Sequence, residues 1–461
     1  MTMASHIERL SDVGTAARVE GRVRALLGLS LGYFMVLLDT TVLSVAEPDI
    51  ASSLHASIGG LQWVVDSYTI TLAAFLLSAG AVADRIGPAR MFRFSVAAFG
   101  TLSLLTAFAP SVGALIALRA LLGVVAAACI PSSTAMIAQL YPQQRTRARA
   151  LAVWTAISGV GLASGPLVGG VLVGVAGWRA VFVINAPVAI VVLLLVAHRG
   201  FASARARRPI NVAAQLLACA SLASLSGALI AFGGGRSSVA APLLVAAVCC
   251  VGTLVAVERR SAHPVFVPAI LRARGVGAGL LAGGVVNFAL TGVIFAIPLV
   301  LAAQFRLAPM SIGLFLLALT IPCALNPLLT GYLVARHGSR PPIVGGLALV
   351  AVGPLLLGFC IAAGLPLVVF ALGLAVTGFG ISFALPALVS AVLGAVPADT
   401  AGNASGLLNA VRQMGATMGV AVMGATLATP PLAVGGASAI FIAAALAAVG
   451  CIVYAVLTRP K

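Results

Sequence analysis

Long apolar runs, broken by short polar or basic turns, fill the chain from residue 25 to residue 457. A helix that crosses a bilayer needs about 20 apolar residues. Fourteen such segments are legible, at 25–46, 61–83, 91–110, 112–138, 149–175, 178–197, 211–233, 239–257, 276–303, 311–335, 342–362, 365–393, 406–428 and 436–457. The hairpins at 91–138 and 149–197 are the least distinct, because their outer turns are only a few residues long. Residues 1–24 are polar, carry Glu8, Arg9, Arg18, Glu20, Arg22 and Arg24, and read as a tail. The apolar run after them is too long for the core of a cleavable signal.

Composition turns this pattern into a class. Of 461 residues, 61% are hydrophobic and 8% charged, whereas a soluble globular protein carries about 25% charged residues. No water-facing surface can be made from so few charges. A soluble enzyme, a disordered chain and a disulfide-stapled secreted domain are excluded, which leaves an all-α integral membrane protein. The net charge of +17 could suggest a nucleic-acid binder. In so apolar a chain, basic loops that fix topology are the better account, and no nucleic-acid partner is expected. With the N-terminus in the cytoplasm, 22 basic residues fall inside, only Arg179, Arg236 and Arg306 fall outside, and Arg119 and Arg412 lie within helices. Both termini are therefore expected inside, with an even number of helices. Nearly all the basic residues are arginine, and with abundant Ala and Gly this suggests a GC-rich bacterial genome.

The seven cysteines all lie in apolar runs with no metal-ligand spacing, and the five histidines are scattered. There is no Walker A sequence and no plausible Ser/His/Asp set. Neither enzymatic activity, nor a metal, nor a cofactor is expected.

Residues 80–90 read GAVADRIGPAR and residues 331–340 read GYLVARHGSR. Each copy places Gly, Arg, Gly and a further Arg at similar spacing, at the inner end of an outward-to-inward segment. A six-helix unit thus recurs: a tail at 1–24, a six-helix bundle at 25–197, two inserted helices with linkers at 198–275, a second bundle at 276–457 and a C-terminal stub at 458–461. Parallel repeats of this kind point to a transporter whose site lies at the repeat interface, near mid-membrane.

These motifs resemble the major facilitator superfamily, specifically its fourteen-helix drug:proton antiporters. GAVADRIGPAR resembles the signature between helices 2 and 3, departing at Pro88 and Ala89. LDTTVLSVAEPDI (38–50) resembles the helix 1 signature, departing at Ser44 and Glu47. ALRALLGVVAAACIPSS (117–133), with Arg119 and Gly123, resembles helix 4, and GVGLASGPLVGGVL (159–172) the helix 5 signature of antiporters. GWRAVFVINAP (177–187) and SGLLNAVRQMGATMGVAVMG (405–424) also match. The resemblance spans nearly the whole chain. It implies a major facilitator fold of 6+2+6 helices in the cell inner membrane. It also implies a monomer that exchanges inward-moving protons for an outward-moving drug, dye or antibiotic and confers resistance. Gly80, Asp84, Arg85, Gly87 and Arg90 would form a conformational latch. Gly161, Gly165, Pro166, Gly169 and Gly170 would form a pliable seam between the halves. By the same analogy the second-half cavity would use helices 9 and 12, with Asn287, Phe288, Phe295, Phe379 and Phe383 as substrate contacts, although Phe at helical spacing also serves plain packing.

The ten acids carry the sharpest information. Glu8, Asp12, Glu20 and Asp399 fall outside the membrane, Glu258 ends helix 8 and Asp84 belongs to the latch. Asp39, Glu47, Asp49 and Asp66 remain, all on the first two segments and toward the outer side. A carboxylate at bilayer depth is costly and so marks function. Asp39 is the first choice for proton coupling. Asp66 and Glu47 could tune that site, attract a cationic substrate or face outside water, with Glu47 expected at the interface. Arg119, deep in helix 4, must face a cavity or pair with Asp39 or a backbone carbonyl. Arg412 is expected near the inner end of helix 13, where it can snorkel. A proton-coupled importer or narrow metabolite exporter on the same fold is the nearest rival. A non-transporting membrane receptor or scaffold is the more distant one.

Overall fold

The computed structural model describes residues 3–197, 212–260, 273, 275–397 and 401–459, with backbone alone at 3–20, 77, 78, 81, 84, 144, 148, 401–403 and 432. The described residues are mostly helical and contain no strand. The first half comprises α1 (Met3–Ser53), α2 (Ile58–Ile86), α3 (Pro88–Ala107), α4 (Val112–Leu140), α5 (Gln144–Ala176), α6 (Ala180–Val183) and α7 (Asn185–Val196). Two further helices follow, α8 (Val212–Gly233) and α9 (Ser237–Arg260). The second half comprises α10 (Val276–Ala303), α11 (Pro309–Leu325), α12 (Pro327–His337), α13 (Arg340–Ala363), α14 (Leu367–Gly394), α15 (Ala401–Leu427) and α16 (Leu432–Leu457). Each expected segment coincides with a helix or with one of the pairs α6/α7 and α11/α12. Among the described residues, nine helices are long and apolar enough to cross a membrane alone, and α11 with α12, bent by 44°, makes a tenth.

Successive helices run back and forth between two ends. Arg24 donates to the Leu194 carbonyl, and Arg340 to that of Ala455, at the end shared by the termini. The Trp178 N–H donates to Asp49, and Gln304 to the Ile361 carbonyl, at the distal end. Local chemistry sets the turns. Ser57 and Ser111 cap α2 and α4 by accepting from the Gly60 and Ala114 N–H groups. Gly87 turns the chain from α2 into α3 at φ +103°, a conformation that a residue with a Cβ would strain to adopt.

Small residues set how closely the helices approach, as expected where lipid provides no hydrophobic drive for association. On α5, a Cβ at Gly161 would stand 2.6 Å from the Phe34 carbonyl oxygen of α1, and one at Gly169 2.7 Å from that of Val42. Gly165 lies against Thr41. The second half repeats the device. Gly415 and Gly419 of α15 press on the backbone of Gly284 and Phe288 in α10. Likewise Gly123 of α4 meets the Tyr68 carbonyl of α2, and Gly378 of α14 meets that of Leu319 in α11. The internal repeat therefore extends from the basic turns to the helix-packing code.

Three expectations are revised. Residues 3–24 do not form a separate tail but continue α1, which also runs seven residues beyond the expected limit of 46, with Pro48 inside it. The face formed by Gly161, Gly165 and Gly169 packs on α1 within the first half and is not the seam between halves. That seam runs along a neighbouring face of α5, where Gly170 meets Pro309 and Met310, and Pro166 meets Gly313 of α11.

Candidate functional site

The halves are hydrogen-bonded to each other only in their distal portions, among the described residues. The Gln62 amide of α2 donates to the Val420 and Ala421 carbonyls of α15 at 3.1 and 2.7 Å. The Thr417 and Thr69 hydroxyls meet at 3.5 Å, and Thr320 of α11 donates to the Ala163 carbonyl of α5 at 3.0 Å. The distal end is thus closed by bonds between the halves.

Inside the first half lies a buried ion pair. Arg119 Nη1 of α4 donates to Asp39 Oδ2 of α1 at 2.5 Å, with both side chains at most 1% exposed. The guanidinium also donates to the Val64 carbonyl and lies over the Tyr68 ring, 4.2 Å from its centroid. The other oxygen of Asp39 accepts from the Asn185 amide at 3.0 Å. Asn185 donates in turn to Ser103, whose hydroxyl donates to the Phe182 carbonyl. The break between α6 and α7 places Asn185 at the start of α7, where its amide reaches Asp39. Of the two partners open at the sequence level for Arg119, the structure shows both. Asn185 was not singled out from the sequence, and its only signal there is an amide within the apolar run VFVINAP.

Asp66 and Glu47 lie in different surroundings. Asp66 of α2 is fully buried and neither carboxylate oxygen has a hydrogen-bond partner within normal geometry. The neighbouring polar group is the Ser226 hydroxyl of α8, itself buried and unsatisfied. Asp66 therefore faces the inserted helix, apart from the Asp39–Arg119 pair. Glu47 is 2% exposed and its Oε2 has no partner. This corrects the expectation that it sits at the interface, since α1 runs on past it to Ser53. Asp49 is the acid at the end of α1, where it accepts from the Trp178 N–H at 2.8 Å.

The remaining expected site residues scatter. Arg85 and Arg90 are exposed beside the Gly87 turn, and the side chain of Asp84 lies outside the described residues. Gly80 is near Pro131 of α4. Phe288 and Phe295 are buried in a hydrophobic cluster to which both halves contribute. Phe379 and Phe383 stack on one another along α14, with centroids 6.5 Å apart. Asn287 instead accepts from Arg412 Nε at 3.2 Å. Arg412 is not a snorkelling residue at a helix end. It lies eleven residues into α15, bonded also to Asn409 at 3.2 Å and within electrostatic range of Tyr33 across the boundary between halves.

An all-helical membrane protein made of two repeated halves, closed at one end around buried charges, is a transporter of the secondary type. The profile of the Major Facilitator Superfamily matches residues 29–211 and 279–461, and the chain belongs to that family. The Multidrug resistance protein Stp of Mycobacterium tuberculosis is 35% identical over 408 residues, covering 87% of this chain and 75% of that one. The Methylenomycin A resistance protein of Streptomyces coelicolor is 32% identical over 439 residues, covering 94% and 92%. Among solved structures, the POT family transporter PepTSo superposes with a TM-score of 0.70 at 14% identity, over 95% of this chain and 98% of that one.

Proposed function

We propose that this protein is a proton-driven exporter of hydrophobic or amphipathic small molecules, among them drugs, dyes or antibiotics, and that it confers resistance to them. Its relatives named for multidrug and methylenomycin A resistance support the export of such compounds. The predominance of basic residues at the end that carries the termini supports a bacterial inner-membrane protein with both termini in the cytoplasm. The closed distal end then corresponds to an inward-facing state. A single chain provides both halves of the interior, which supports a working monomer.

The observation that carries proton coupling is the unequal treatment of the buried acids. Asp39 has its charge balanced by Arg119 and a donor from Asn185. Among the described residues, Asp66 has the Ser226 hydroxyl beside it and no balancing cation. An ionised carboxylate there is costly and a neutral acid is much less so, so a change of accessibility between the two faces would be tied to a proton. Asp66 is thus placed ahead of Asp39 as proton carrier, with the Asp39–Arg119 pair as the fixed node that orders α1, α2 and α4. Glu47 is the second candidate. The motif around Gly80, Asp84, Arg85, Gly87 and Arg90 is the proposed latch, at the end that opens.

The test is dye accumulation in an efflux-deficient host that expresses the chain, with and without a proton uncoupler. Energy-dependent loss of dye should disappear with the uncoupler. Export that persists without a proton gradient rejects proton coupling.

A further inference from the structure

Arg412 is a cation that its own half leaves unbalanced. The second half, 276–457, contains one acid, Asp399, on a stretch outside the described residues, and none within its helices. Both groups that hold the guanidinium are neutral amides, Asn287 of α10 and Asn409 of α15. A guanidinium has more donors than these two bonds use. The side chain is partly exposed, in a molecule whose cross-half bonds close only the opposite end. Asp39, the buried acid of α1, is already engaged by Arg119.

An aromatic pair of the first half lies at the depth of Arg412. Tyr33 of α1 is within electrostatic range of the guanidinium and stacks on Trp154 of α5, with centroids 4.4 Å apart and planes 15° from parallel. The Trp154 indole N–H has no acceptor among the described residues. Tyr33, Trp154 and Arg412 all lie nine to eleven residues inward from the end of their helices on the side of the termini, if α1 is counted from Arg24. The four elements involved are the two glycine-packed pairs, α1 with α5 and α10 with α15. The groups thus come from both halves and sit at one depth.

We propose that Arg412, held by Asn287 and Asn409 and faced by Tyr33 and Trp154, anchors a subsite for planar organic acids: a flat conjugated ring that bears a carboxylate or phenolate. The free fork of the guanidinium takes the anionic group, and the aromatic pair takes the ring edge or face. Closing the open end around an empty site would strip water from an uncompensated cation, and a bound anion offsets that cost. The subsite rests on the export function proposed above and specifies which compounds it favours.

Its test is binding to the purified full chain, read by quenching of tryptophan fluorescence, with 1-naphthoate, 1-naphthamide and 1-naphthylmethylammonium. The ring is constant and only the charge changes. The naphthoate should bind about tenfold more tightly than the ammonium compound. Arg412→Gln should abolish that preference while leaving the naphthamide within about twofold, and Arg412→Lys should keep part of it. Asn409→Asp, which balances the guanidinium in place, should abolish it too and serves if Arg412→Gln fails to fold. No preference for the anion in the unmodified protein, or a preference that survives in either neutralising variant, overturns the proposal. Binding as expected, without uncoupler-sensitive export in cells, would instead count against the export function alone.

Discussion

Arg119 and Asp39 meet at 2.5 Å between α4 and α1, sealed from solvent, with Asn185 bonded to the second oxygen of the carboxylate. Breaking such a pair from one side leaves an uncompensated buried charge, which costs on the order of 3–5 kcal/mol. Asp39→Asn should therefore lower the thermal unfolding temperature of the purified protein by several degrees. The double variant Asp39→Asn with Arg119→Gln should recover much of the loss. If the single variant is as stable as the parent, the pair does not hold the first half together.

Asp66 should behave in the opposite way. Among the described residues it has no charged partner to lose, only the Ser226 hydroxyl beside it, so Asp66→Asn is expected to fold with nearly unchanged stability. Proton-driven dye efflux should fall to background, whereas substrate binding to the purified protein should persist. Full proton-driven efflux by this variant would move the coupling role to Glu47.

The contact of Gly165 with Thr41 leaves no room for a side chain. Gly165→Leu should force α5 away from α1, with an overpacking cost of roughly 1–3 kcal/mol or more. The expected readout is reduced thermal stability and lowered yield in membranes. Thr41→Gly in the same chain should relieve part of the effect.

Gln62 reaches across the halves to two carbonyl oxygens of α15. Gln62→Leu removes both donors from the closed distal end, each worth about 0.5–1.5 kcal/mol. Amide hydrogen exchange in the segment 417–424 should speed up by about tenfold. Unchanged exchange would mean that the closure rests on packing alone.

Much of this was legible from sequence, for physical reasons. A lone arginine deep in an apolar run needs a partner, so the pairing of Arg119 was foreseeable, and the glycine spacing of α5 marked a close helix contact. Errors came where polar residues masked helix. The start of α15, AGNASG, is polar enough to pass for a loop, and it shortened the apparent depth of Arg412. Glu47, Pro48 and Asp49 likewise ended the apparent first segment, although the helix continues to Ser53. Which face of Gly-rich α5 meets which half was not legible, because both faces carry glycine. The placement of Asp66 against α8 needed the packing of a helix that belongs to neither repeat.

That helix also makes the two flanks of the molecule unlike. The repeated halves adjoin along α5 and α11 on one side and along α2 and α15 on the other. On the second side α8 lies over both partners: Ile230 and Gly227 meet Gly59 and Trp63 of α2, and Gly233 meets Ala425 of α15. Among the described residues, a crevice that opened laterally between α2 and α15 would be roofed by α8, and one between α5 and α11 would have no such helix over it. The twofold design of the chain thus carries a cover on one flank alone, among the described residues.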